Sequence, residues 1–245
     1  MPLAILRMDT AICRSIEHKK VWHMKSFLKF FAVMAGVVGV AGSASAVPTL
    51  YLSDGVSSVT VADGSAFDSN PLVGVVSYNG AVGINWTLNV TTGLSKPVLG
   101  SATQPWMDMS SVNASSKGAG NLTIKFSDDN FGPSSGKLIS IIGGTTQGNV
   151  NMKTYSDAAN TIFGQGTLLT SQGAFGPGGF SNIKSISFSG GLPFSLTEVA
   201  TITHTKKAIT SFNEELRVPD AGMTLALLGS SLLGLAAFSR SRKSA

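Results

Sequence analysis

A single cysteine, Cys13, and three histidines, His18, His23 and His204, are all the thiol and imidazole that this 245-residue chain contains. Cys13, His18 and His23 precede the first long apolar run, so a domain that starts after that run holds one histidine and no thiol. This excludes disulfides, a cysteine nucleophile and any metal site needing two histidines. His204 stands in the strand-like run Ala200-Thr201-Ile202-Thr203-His204-Thr205, where a lone histidine reads as a satisfied structural residue. Phosphate-cradling glycine loops and the His-Glu-x-x-His helix are missing. Ser134-Ser135-Gly136-Lys137 has the Ser-x-x-Lys spacing, but no Ser-Asp-Asn or Lys-Thr-Gly accompanies it. Charge is also sparse, at 13% Asp, Glu, Lys and Arg. Between Val47 and Arg217 no amphipathic pattern extends over three helical turns; the helix-tolerant stretch Tyr155 to Asn160 is short.

The two ends carry what the middle lacks. Met24-Lys25-Ser26-Phe27-Leu28-Lys29 is a basic region, Phe30 to Val40 an apolar core of eleven residues, and Ala44-Ser45-Ala46 a small-x-small cleavage site. These are the parts of a secretory signal peptide, predicting passage through the Sec translocon and cutting by signal peptidase after Ala46. Residues 1–46 are thus read as leader. Met24 is the expected true start, because residues 1–23 make the basic region too long. Cys13, upstream of the apolar core, is not in the place of a lipidated cysteine.

At the other end, Ala221 to Ser239 is nineteen residues without charge. As a helix rising about 1.5 Å per residue it matches a hydrocarbon core. Leu225, Leu227, Leu228, Leu232, Leu233, Leu235 and Phe238 supply its apolar surface, and Arg240, Arg242 and Lys243 follow at once. The positive-inside bias then makes residues 240–245 a cytoplasmic anchor and exports everything before Val218. Pro219 and Gly222 keep the preceding stretch from joining the helix, leaving an extended peptide at the membrane edge.

The order Val218-Pro219-Asp220-x-Gly222-x-Thr224, a leucine- and glycine-rich span and a short arginine-rich end resembles the PEP-CTERM class of bacterial sorting signals in its Val-Pro-Asp variant. The resemblance implies recognition of Val218, Pro219, Asp220, Gly222 and Thr224 by an exosortase-type membrane enzyme. It also implies a bacterium that makes extracellular polysaccharide, and delivery to the cell surface or matrix after a transient stay in the inner membrane. Ala221 and Met223 depart from the small polar residues common at those positions. Ile84-Asn85-Trp86-Thr87-Leu88-Asn89-Val90-Thr91-Thr92-Gly93, Pro105 through Val112 and Asn121-Leu122-Thr123-Ile124 are loosely similar to uncharacterised all-β domains of PEP-CTERM proteins.

Removing the ends changes the electrostatics. The formal +5 of the whole chain includes six cationic residues in the leader and three in the tail. Residues 47–217 keep nine Lys and Arg against ten acids, about minus one. The basic balance therefore gives no warrant for a nucleic-acid partner.

Residues 47–217 read as one all-β domain. Ile84, Trp86, Leu88 and Val90 alternate with polar residues, as do Leu122, Ile124 and Phe126, then Ile186 and Phe188, then Phe194 and Leu196. Period two buries one face of a strand. Asn79-Gly80 predicts a hairpin turn, and Asp54-Gly55 and Asp63-Gly64 two more. Gly164 to Gly179 reads as a loop. Ten to twelve strands so spaced predict an antiparallel β-sandwich or jelly roll, flanked by a signal helix and a transmembrane helix. A β-helix is the second choice, disfavoured by the lack of a fixed repeat.

No catalytic residues are expected. The acids available for glycan hydrolysis are Asp54, Asp63, Asp68, Asp108, Asp128, Asp129, Asp157, Glu198, Glu214 and Glu215, read mostly as turn residues. Asp128-Asp129-Asn130 is the best local match to calcium's oxygen ligands, without EF-hand spacing, so no metal or cofactor is assigned. Trp86 is read as core and Trp106, after Pro105 in a loop, as the exposed aromatic for stacking on sugar. The sequons at Asn85, Asn89, Asn113 and Asn121 reflect strand composition. Three expectations follow: a non-catalytic exported surface or matrix protein, a surface carbohydrate-binding module with extracellular polysaccharide as partner, or a secreted carboxylate-dependent hydrolase.

Overall fold

The computed structural model describes residues 47–191, 193–219 and 228–233. They contain β1 (Thr49–Ser53), β2 (Ser58–Ala62), β3 (Val75–Val82), β4 (Trp86–Leu94), β5 (Trp106–Ser116), β6 (Gly120–Phe131), β7 (Ser134–Thr146), β8 (Asn149–Asp157), β9 (Thr167–Phe175), β10 (Gly178–Gly190), β11 (Phe194–His204) and β12 (Ala208–Arg217). These form two six-stranded antiparallel sheets, ordered β2-β1-β6-β11-β8-β9 and β10-β7-β12-β5-β4-β3. The all-β sandwich expected from the alternation is what forms.

Period-two patterning explains the core. Leu122, Ile124 and Phe126 on β6, Leu196, Ala200 and Ile202 on β11, and Phe212 and Leu216 on β12 all turn inward and are buried. The inward faces meet closely: a β-carbon on Gly93 of β4 would strike the Phe126 ring, so this glycine is the seat for that ring. Trp86 is 1% exposed and lies against the His204 ring, with centroids 4.7 Å apart. His204 is fully satisfied, Nδ1 to Ser116 Oγ and Nε2 to Thr210 Oγ1, both at 2.8 Å.

Two turn expectations need correction. β3 runs on through Asn79-Gly80 to Val82, and the chain reverses at residues 83–85, where Gly83 adopts φ 61°. Asn79-Gly80 is instead a bulge, with a register shift between Tyr78 and Gly80 and the Tyr78 hydroxyl donating to Ala81 O at 2.7 Å. The glycine-rich segment is for the most part not a loop: it contains all of β9 and the first two residues of β10. Gly173 serves the strand there: at φ 114° its α-carbon lies so close to β8 that a β-carbon would stand 2.7 Å from Val150 O.

The signal helix expected in residues 1–46 lies outside the described residues. Of the expected transmembrane helix at 221–239, residues 228–233 are helical and the others lie outside the described residues. Among the described residues, no helix is long and apolar enough to cross a membrane.

The connection after β4 is held to β6 by a buried ion pair. Lys96 Nζ reaches Asp128 Oδ2 at 2.8 Å, both side chains at most 5% exposed. Ser95 Oγ donates to the same oxygen at 2.6 Å, and the Asp129 N–H to Asp128 Oδ1 at 2.9 Å. Lys96 also donates to Asp129 O and lies 3.9 Å from the Phe131 ring centroid. Removing one partner strands the other charge, so Lys96→Met is expected to cost about 3 kcal/mol in urea unfolding. The double variant Lys96→Met with Asp128→Leu is expected to recover most of that; equal loss in both would contradict the assignment.

Candidate functional site

The acids sort into three environments. Asp54, Asp63, Asp68 and Asp157 do the turn chemistry expected of them: Asp54 accepts from the Val56 and Ser57 N–H groups, Asp63 from Gly74, Asp68 from Gly64, Asn70 and Ser77, and Asp157 from Ala159. The Ser57 and Val56 N–H groups hold Asp54 below the usual carboxylate range. Asp128 and Asp129 are engaged within the protein rather than open to an ion. Lys96 takes the cationic place beside Asp128, while Asn130 donates to Asp129 Oδ1 at 3.0 Å and accepts from Asn160 Nδ2 at 2.9 Å. Residues 128–130, the best local match to calcium's oxygen ligands, thus bond to the protein's own groups.

The remaining acids depart from the turn expectation: Asp108, Glu198, Glu214 and Glu215 all lie within strands. Glu198 follows the inward phase of Leu196, Ala200 and Ile202, and Glu214 that of Phe212 and Leu216. They project into the interior from opposite sheets, and both are 0% exposed. Ser140 Oγ donates to Glu214 Oε1 at 2.6 Å, whereas Glu214 Oε2 and both oxygens of Glu198 have no partner. Burial, then repulsion from Glu214, pushes Glu198 well above the carboxylate range. Burial likewise pushes Glu214 up to about 8, against the opposing Ser140 bond. The visible signal was an acid in phase with aliphatic residues on both sides.

On the outer face of the second sheet, Trp106 and Asp108 of β5 pair with Arg217 and Glu215 of β12. Trp106 opens β5 rather than standing in a loop, and it is half-buried. The Arg217 guanidinium carbon is 5.5 Å from its ring centroid, and Arg217 Nε is 3.0 Å from Glu215 Oε1, an ion pair without hydrogen-bond alignment. Asp108 is pushed up to about 6 by burial and then by Glu215. This patch combines an aromatic, a guanidinium and two carboxylates, which suits a polar ligand.

A groove of about 310 Å³ lies between β9 and β10, lined by Ser156, Thr167, Leu169, Ile186, Phe188 and Phe194 among others. No titratable residue lines it, so it offers no acid–base machinery.

Of the sorting-motif residues, Val218 is buried in the sandwich core and donates its N–H to Pro105 O at 2.9 Å, while Pro219 is exposed. Asp220, Gly222 and Thr224 lie outside the described residues, as do the cleavage-site residues Ala44 and Ala46. Leu228, Leu232 and Leu233 lie exposed in the helical residues 228–233. Leu225, Leu227, Leu235, Phe238, Arg240, Arg242 and Lys243 lie outside the described residues.

No protein-family model matches the chain, and no curated protein matches it. Among solved structures it is similar to the K3 cleaved adhesin domain of Lys-gingipain from Porphyromonas gingivalis, at 12% identity and TM-score 0.28, covering 44% of this chain and 72% of that one. It is also similar to a family 35 carbohydrate-binding module from Clostridium thermocellum, at 14% identity and TM-score 0.23, covering 58% and 96%. A further similarity is to a CBM35 from Paenibacillus barcinonensis, at 10% identity and TM-score 0.22, covering 59% and 99%. Similarity at these TM-scores carries no functional argument.

The raised Asp108 makes a specific expectation. A carboxyl whose folded pKa of about 6 exceeds its ordinary 3.8 adds stability below the ordinary value and loses it as pH rises through 6. The melting temperature of the wild type, relative to Asp108→Asn, is expected to fall between pH 4 and pH 6.5, by a small amount because Asp108 is only partly enclosed. A flat difference would show that Asp108 titrates normally.

Proposed function

We propose that this chain is a non-catalytic exported bacterial protein, sorted through residues 218–245 to the cell surface or the extracellular polysaccharide matrix. One observation carries the reading: the last strand closes at Arg217, one residue before the motif, and of the motif only Val218 is seen packed into the core. Among the described residues Val218 is the last buried one, and Pro219 is exposed. A cut after Pro219 leaves all twelve strands intact, so processing would not require the sandwich to open. The enclosure of Glu198 and Glu214 weighs against the hydrolase alternative, since carboxylates sealed from solvent cannot flank a glycosidic bond.

Intact-mass analysis of membrane and extracellular fractions from the native host tests this. The expected species starts at Val47 and ends between Pro219 and Thr224, with Pro219→Ala accumulating uncut in the membrane. A chain retaining Ala245 in every fraction would overturn the sorting reading.

A second reading, glycan binding, draws on the patch of Trp106, Asp108, Glu215 and Arg217, where carboxylates and a guanidinium can hydrogen-bond sugar hydroxyls beside an aromatic edge. Arg217→Ala is expected to weaken retention in affinity electrophoresis through host polysaccharide about tenfold, roughly the loss of a charged hydrogen bond. Unretarded wild-type protein would remove this reading and leave the sorting proposal untouched.

A further inference from the structure

The hydroxyl and amide hydrogens of the polar row between the sheets are already committed. Thr170 Oγ1 donates to Ser140 Oγ at 3.3 Å, so the hydrogen shared by Thr154 and Thr170, whose hydroxyl oxygens lie 2.8 Å apart, comes from Thr154. Ser140 in turn donates to Glu214 Oε1 at 2.6 Å. Gln172 Nε2 donates to Ser140 Oγ at 2.5 Å and to Ser140 O at 3.4 Å. Four oxygens remain, Glu198 Oε1 and Oε2, Glu214 Oε2 and Gln172 Oε1, all buried and unpartnered. Glu198 and Glu214 are 0% exposed and Gln172 is 2% exposed.

The register brings Glu198, Thr154 and Thr170 to one level, and Gln172, paired with Met152, joins them through its bond to Ser140. Glu198 of β11 pairs with Thr154 of β8, and Thr154 with Thr170 of β9, giving a single inward row across the first sheet. From the second sheet, Ser140 and Glu214 bond into that row. No hydrogen bond joins the two carboxyl groups, because the free oxygens of both are without partners. A water there brings two hydrogens to four unpartnered oxygens, and ionising either carboxyl leaves a negative charge in a low-dielectric interior. Among the described residues no cation is ion-paired with either: Lys96 is bound to Asp128, and Arg217 sits on the outer face with Glu215.

We infer that Glu198, Glu214 and Gln172 form an internal site for calcium between the sheets. Two carboxylates match one divalent charge, and the free ligands are hard oxygens. Imidazole is not on offer, since both nitrogens of His204 are held by Ser116 and Thr210. Calcium accepts six to eight oxygens in irregular geometry, whereas magnesium demands a near-octahedral shell and keeps its waters. The lone pairs of Thr154 Oγ1 are a further oxygen within the row. Among the described residues no group of three or more His, Cys, Asp or Glu is placed to hold a metal, so the set is two carboxylates completed by amide and hydroxyl oxygens. The site draws on β9, β11 and β12 and would tie the two sheets together. It is independent of the sorting proposal.

The test uses the purified chain after dialysis against chelating resin. Titration with calcium chloride is expected to give one tightly bound ion per chain by mass spectrometry under native conditions. It is also expected to raise the melting temperature by about 5 °C or more at saturation. The double variant Glu198→Gln with Glu214→Gln, which keeps shape and removes charge, is expected to fold and to lose the shift. Gln172→Met, which keeps both carboxylates, is expected to weaken calcium binding about tenfold and decides the matter should the double variant not fold. A folded wild type with no stoichiometric calcium and the same melting temperature in EDTA and calcium overturns the site. A shift with magnesium and none with calcium overturns the assignment of the ion.

Discussion

Two facing sheets leave little choice about what lies between them: each inward position must be apolar, or its polar atoms must be bonded or neutralised by something else inside. Most of this interior takes the first course, with aliphatic and aromatic residues at period two and Gly93 making room for Phe126. Two regions take the second. Around His204 the imidazole and hydroxyl groups close on each other through Ser116, Thr210 and Thr146, leaving only the Trp86 indole N–H beside them without a partner. Around Lys96 and Asp128 charge meets charge, with Ser95 and the Asp129 N–H completing the carboxylate's bonds.

The row containing Glu198 and Glu214 differs from both because its bonds run one way. Hydrogens pass from Thr154 through Thr170 and Ser140 to Glu214, and the far side of the row faces the interior with oxygen alone. A core that needs only cohesion would carry leucine there. The placement of two acids at inward positions of opposing strands is a costly arrangement, and costly arrangements in a fold are where function or a bound ion is sought.

The architecture was legible from alternation alone, because a half-buried strand writes its face into every second residue. Trp86-x-Leu88 and Leu122-x-Ile124-x-Phe126 announced buried faces, and those residues are buried. Ile84, at the head of the first run, is 90% exposed because the chain is still turning there. Asn79-Gly80 misled because its turn chemistry serves a bulge equally well, and the choice depends on what the Tyr78 ring reaches. The glycine-rich run misled because Gly173 answers to close backbone approach by β8, a tertiary fact. The acids in strands were missed for a different reason: composition around them, rich in Ser, Thr and Asn, imitates a turn, while their phase with the flanking aliphatics marks the interior. Trp106 was judged by the proline before it and not by the strand it opens.

β12 lies between β7 and β5, bonded on both sides, and it leads directly into the exposed Pro219. Tension applied through whatever follows that proline runs along β12. The hydrogen bonds of both its ladders stand across that direction, so they are loaded together in shear instead of being peeled one at a time from a sheet margin. A domain held by this end resists being pulled apart as a cross-linked strip resists, with the first rupture delayed until many bonds yield at once.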